Sequence, residues 1–189
     1  MSMKKAVSFL LITALLWAGA LAANATAPYP TDDKKHTAKY IRKRVGEIYR
    51  CYENPQYDEY GMRIIERGDL NETFCSTQYK ALLQKAYEIS EDEMILDYDH
   101  WTYSQDDNQF TCKPGKVENI TDSTAIAYVK AKNFDEEYMI ILSLVFERGD
   151  WYVDDFLSLD GDSEKAYLER QIRERERLPD CKRQRYRVC

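Results

Sequence analysis

Between Asp97 and Asp107 the chain gathers its densest set of groups able to hold a polar ligand. Asp97, Asp99, Gln105, Asp106 and Asp107 are set among Tyr98, Trp101 and Tyr103. Three chemistries suit such a stretch. Loop aspartates commonly bond their own backbone and close Asx turns. Carboxylate oxygens also suit calcium, although this stretch has no glycine at a bend and no closing glutamate. The third is a pocket rim, with Trp101 and Tyr103 as a stacking wall and Asp99 and Gln105 orienting a polar ligand. His100 lies inside the stretch and could serve as a general base held by Asp97 or Asp99. A lone histidine flanked by acids is more often a surface hydrogen bonder.

A second candidate is Asp155, in Trp151-Tyr152-Val153-Asp154-Asp155-Phe156. With Trp151 and Val153 facing a cavity, alternation puts Asp155 beside them. Burial would raise its pKa and suit it to acid–base work. A bulge near the strand end reverses the assignment, turning Asp155 to water and Asp154 inward, and strand ends commonly bulge. The chain contains no Ser-His-Asp spacing, no glycine-rich phosphate loop and no H-E-x-x-H. No cofactor and no metal is expected. Candidate ligand contacts are therefore Asp97, Asp99, Trp101, Tyr103, Gln105, Asp106, Trp151 and Asp155, with no catalytic residue assigned.

These groups must be positioned by strands and helices. Tyr138 to Phe146 is apolar apart from Ser143 and rich in β-formers, so it predicts a central strand covered on both faces. Tyr138, Ile140, Leu142, Leu144 and Phe146 share one face. Gly149-Asp150 predicts a hairpin turn into the Trp151 strand. Thr124 to Lys132 alternates as another strand, and Val117 to Ile120 reads as a third after a turn at Lys113–Lys116. Upstream, Thr37 caps a helix running to about Tyr52, with Tyr40, Ile41, Val45, Ile48 and Tyr49 at helical spacing. Ile64 and Ile65 suggest a short helix ending at Gly68-Asp69. Thr73 to Ile89 predicts a strong helix capped by Asn71 or Thr73. Ser163 caps a last helix, Glu164 to Leu178, whose alternating charges read as a solvated face. Helices followed by a strand meander predict an α+β domain with helices on one face of an antiparallel sheet.

The N-terminus reads as a secretory leader. Lys4 and Lys5 precede the apolar run Ala6 to Leu21, followed by small residues to Ala25. Residues 1–25 are expected to be a signal peptide, 26–36 a flexible lead-in, 37–160 the domain, and 161–189 a charged helical tail with a Cys-bounded basic end. No cysteine follows the leader directly, which argues against a lipid anchor. Removing Lys4 and Lys5 from the 27 basic residues leaves 25 against 33 acids, a net charge of −8. That disfavours nucleic acid and anionic membrane surfaces as partners. Five cysteines in an oxidising compartment read as up to two disulfides plus one thiol, with the pairing open.

The helix–helix–helix–strands order resembles the nuclear-transport-factor-2-like superfamily, the cystatin-like cone fold. Gly149-Asp150-Trp151-Tyr152-Val153-Asp154-Asp155-Phe156 is similar to its closing G-x-W-x-I-D strand. Asp97-Tyr98-Asp99-His100-Trp101 with Gln105-Asp106 resembles the signature of a secreted bacterial family, domain of unknown function 3828. The resemblance spans roughly Thr37 to Leu159. It implies a curved sheet enclosing a cone-shaped cavity, export to the periplasm or beyond, and a homodimer through the open sheet face. It implies no activity, since that superfamily hosts both enzymes and binding modules. The expected function is a non-catalytic module binding a small molecule or an envelope protein. The alternatives are a small lyase or isomerase using a cavity aspartate, and an inhibitor or immunity-type protein.

Overall fold

The computed structural model describes residues 34–53, 56–57, 59–60, 63–64, 67–90, 95–107 and 109–177. All of them belong to one contact unit, Thr31–Cys189. The expected leader and the basic end with Cys181 and Cys189 lie outside the described residues.

The order is α1 (Ala38–Ile48), α2 (Arg50–Glu53), β1 (Gln56–Tyr57), β2 (Arg63–Ile64), α3 (Arg67–Phe74), α4 (Thr77–Ser90), β3 (Thr111–Glu118), β4 (Thr124–Asn133), β5 (Glu136–Glu147), β6 (Asp150–Leu157) and α5 (Glu164–Glu176). The fold is α+β. Strands β3-β4-β5-β6 form an open antiparallel meander in sequence order, and β1 pairs with β2 separately. Among the described residues, no helix is long and apolar enough to cross a membrane.

Local chemistry sets several boundaries as expected. Thr37 caps α1, its side chain accepting from Tyr40 N at 3.2 Å, and Ser163 caps α5 by accepting from Ala166 N at 2.9 Å. Alternation on β4 buries Ala125, Ala127, Val129 and Ala131. Together with Ile140, Leu142, Leu144 and Val153 they share one core with Ile41, Val45 and Ile48 of α1 and Tyr79, Leu83 and Ala86 of α4.

Elsewhere the structure departs from expectation. Instead of a helix leading to Gly68, the described part of 56–64 holds the short pair β1–β2, and Gly68 lies inside α3. The helix expected from Thr73 is two helices broken at Cys75-Ser76. Ser76 N donates to Val153 O at 2.7 Å, and Ser76 Oγ accepts from Tyr79 N at 2.9 Å, so a sheet contact and a new cap interrupt the helical ladder. Lys113–Lys116 is not a turn but the bulged middle of β3. Pro114 is tolerated because β3 is an edge strand. At Gly115 a Cβ would lie 2.9 Å from Tyr128 O. The β5–β6 turn falls on Arg148 and Gly149, both at positive φ (50° and 78°), one residue earlier than expected. On β5 Ile140, Leu142 and Leu144 are buried in the core, with Tyr138 and Phe146 of the same face packed against it. On the other face Ile141 is buried but Met139, Ser143 and Val145 are only half-buried, so the strand is covered less fully on that side. Finally, α5 is no solvated tail: Glu164, Leu168 and Ile172 are buried, with Leu168 and Ile172 joining the core. A stripe one residue in four is easily hidden among charges.

Candidate functional site

The loop from Ile95 to Asp107 crosses between α4 and β3 and is tied down by its own turn. Asp99 Oδ1 accepts from Trp101 N at 3.1 Å, and Asp99 O accepts from Thr102 N and Tyr103 N at 3.1 and 2.7 Å. Asp99 N donates to Ser104 O at 3.0 Å. Asp99 therefore closes the Asx turn that shapes the loop, and Tyr52 OH donates to its Oδ2 at 3.3 Å. The turn holds Tyr103 at a φ of 51°. Tyr138 OH donates to Thr102 O, and Asn133 Nδ2 to Asp106 O, fixing the loop to the sheet.

Beneath the loop is a buried polar cluster drawn from four elements. Asn71 of α3 accepts at Oδ1 from Trp101 Nε1 at 2.8 Å, and His100 Nε2 lies 2.8 Å from the same oxygen. An indole N–H only donates, so the Asn71 amide is oriented by it, and His100 Nε2 must carry a proton. His100 Nδ1 faces Glu164 Oε1 of α5 at 3.2 Å, and Tyr79 OH of α4 donates to that same oxygen. Tyr98 OH donates to Glu164 Oε2 at 3.0 Å. The Phe156 ring stacks on His100 with centroids 4.4 Å apart. His100 and Glu164 are each about 5% exposed, so this carboxylate and imidazole share an enclosed space. Burial, reinforced by the Glu164 charge, pushes the Tyr79, Tyr98 and Tyr103 hydroxyls far above the ordinary phenol value.

Two clefts open over the cluster. The first, about 450 Å³, reaches Asn71, Asp99, His100, Trp101 and Gln105. The second, about 500 Å³, reaches Tyr103, Phe156, Ser163, Glu164 and Tyr167. Leu96, Asp97 and Tyr98 form the wall common to both. Asp97, Asp99, Trp101 and Gln105 thus share one cleft and Tyr103 borders the other. Trp101 is 1% exposed and meets Phe156 edge-on at 5.0 Å, so it is floor and core rather than an open stacking wall. Asp106 is exposed, lines neither cleft, and contributes its carbonyl to Asn133.

Trp151 also lines neither. It is buried at the other end of β6, its Nε1 donating to Lys35 O at 2.8 Å beside His36 and Phe146. The β5–β6 register matches Ser143 with Asp155 and Leu144 with Val153, leaving Asp154 as an extra residue. The bulge expected at this strand end exists, yet Asp155 is the buried one. Its carboxylate accepts from Ser163 Oγ (2.5 Å), Lys165 N (2.8 Å) and Phe156 N (2.9 Å) and so anchors the start of α5. Burial raises its pKa against those bonds. Asp154, half-buried, accepts from Ser76 Oγ at 2.6 Å and pairs with Lys165 Nζ at 2.7 Å.

Sequence reasoning missed Asn71, Tyr79 and Glu164 as members of one cluster. Asn71 read as a helix cap and Glu164 as one of many tail charges, while Tyr79 fell inside the helix predicted from Thr73 to Ile89. The only local signal was the position of Glu164 just after the Ser163 cap. Cys75, fully buried between α3 and α4, is a free thiol directed at Asn71 Oδ1 at 3.8 Å, and burial raises its pKa. Among the described residues, no group of three or more His, Cys, Asp or Glu is placed to hold a metal ion. No family model, curated protein or solved structure matches the chain.

Proposed function

We propose that this chain is an exported bacterial envelope protein on a cone-shaped, nuclear-transport-factor-2-like fold, and that it holds a ligand without transforming it, in the clefts on either side of Tyr98. The observation that carries this reading is the engagement of both His100 nitrogens within the protein, Nε2 at Asn71 and Nδ1 at Glu164. A general base needs a lone pair within reach of the ligand, and here the imidazole is held between two protein oxygens. Asp155 is similarly committed to the α5 terminus. What faces the openings is shape, aromatic surface and acceptor atoms, a lining suited to binding. Helices preceding an open four-stranded meander support the fold assignment, and the Lys4-Lys5 leader supports export.

Native mass spectrometry of protein purified from the periplasm of an expressing bacterium tests the reading. The expected result is a processed chain carrying a small molecule that leaves on gentle denaturation. A ligand-free chain that stays ligand-free after exposure to a periplasmic extract, or one that consumes a component of that extract, would overturn it. A stable protein partner with empty clefts would favour the inhibitor class instead.

A further inference from the structure

Resting on that binding role, we infer that the second cleft, walled by Tyr98 and Tyr103 above the Glu164 carboxylate, takes an organic ammonium cation. Its wall hydroxyls have committed their protons to the protein. Tyr98 OH donates to Glu164 Oε2 at 3.0 Å, Tyr103 OH to Leu157 O at 3.0 Å, Tyr167 OH to Ile95 O at 3.4 Å, and Ser163 Oγ to Asp155 Oδ2 at 2.5 Å. A hydroxyl has one proton to give, so these four retain only acceptor lone pairs. Ser158 Oγ accepts from Asp162 N, which leaves its proton as the one hydroxyl donor among the described lining residues.

Charge points the same way. Asp97, Asp162 and Glu164 line the cleft, and no lysine, arginine or histidine is among its described lining residues. His100, behind Glu164, balances at most one of the three carboxylates. An anion entering here would meet three carboxylates and, among the described lining side chains, one hydroxyl donor, and a neutral apolar molecule would leave acceptors dehydrated. The rings complete the selection. Tyr98 and Tyr103 stand nearly perpendicular (76°) with centroids 5.8 Å apart, forming a corner, and Phe156 adds a third ring. A cation within about 6 Å of such ring centres is attracted by their negative faces. Tyr167 already carries the Arg170 guanidinium 5.4 Å from its ring centre, so Tyr98 and Tyr103 are the selective pair. The cleft volume of about 500 Å³ suits a small amine with a short apolar body.

The test is an NMR titration of the full chain, following tyrosine ring protons, with tetramethylammonium and butane-1,4-diammonium against butanoate and butan-1-ol. Both cations should shift Tyr98 and Tyr103 saturably, and Tyr103→Leu should weaken binding roughly 2- to 30-fold, the range of a cation–π contact. The wild-type comparison stands whether or not the variant folds. If butanoate or butan-1-ol shifts the same rings as strongly, the cation assignment is overturned and the binding role survives. If none of the four probes moves them, the cation assignment falls too, and the binding role is judged separately by the native mass measurement.

Discussion

Asn71 Oδ1 receives two N–H groups, from Trp101 Nε1 and His100 Nε2, each at 2.8 Å. Both donor residues are almost wholly buried. Asn71→Leu strands those donors, and a buried unsatisfied donor costs about 1–3 kcal/mol. The variant should lose about 2–4 kcal/mol, read as a lower urea midpoint at unchanged slope, whereas Asn71→Asp, which keeps an acceptor in place, should lose less. Asp155 makes a pH prediction. Its folded-state pKa is raised above the ordinary 3.8, chiefly by burial. A carboxyl of that kind binds its proton more tightly in the folded chain. Its stabilising share is therefore fully present below 3.8 and is lost as pH rises through the raised value. The stability of wild type relative to Asp155→Asn should accordingly be greatest in acid and decline as pH rises. Stability curves of the two proteins at a series of pH values check the sign. At this scale, residue type was legible and partnership was not. Asp97–Asp107 stood out as polar and aromatic, but whether Asp99 faces a ligand or its own backbone depends on loop dihedrals that composition does not encode.

Elements were read well where their causes are local. The Thr37 and Ser163 caps and the alternation of β4 act within four residues, and each element forms where its pattern lies. They were misread where a distant strand decides. Cys75-Ser76 would continue a helix, but Val153 O takes the Ser76 N–H and ends it. Lys113-Pro114-Gly115-Lys116 has the composition of a turn, yet β4 pairs with its flanks and makes it a bulged edge. Gly115 is required there for space rather than for φ, since a Cβ would sit 2.9 Å from Tyr128 O. Gly115→Ala should destabilise by about 1–3 kcal/mol, the usual scale of overpacking, and thermal unfolding followed by circular dichroism measures it.

At the scale of the molecule, α5 is the element whose role changed most. It completes the α4 side of the core through Leu168 and Ile172 and delivers Glu164 to His100, Tyr79 and Tyr98. A chain ending at Asp160 loses two buried aliphatic side chains, each worth about 2–5 kcal/mol, and leaves three polar partners of Glu164 unmatched. It should lack a cooperative unfolding transition, and calorimetry beside the full chain decides this. A truncated chain melting within a few degrees of the full one would return α5 to the status of a tail.

The sequence by itself determined the α+β class, the strand alternation, the helix caps and the acidic balance, because each follows from contacts a few residues apart or from composition. Only the tertiary structure decided the site. Asn71, Tyr79, His100 and Glu164 come from α3, α4, the 95–107 loop and α5, and no periodicity relates them. They meet because the apolar faces of α4, α5 and the sheet close on one core, and the polar groups trapped at its edge must then satisfy one another.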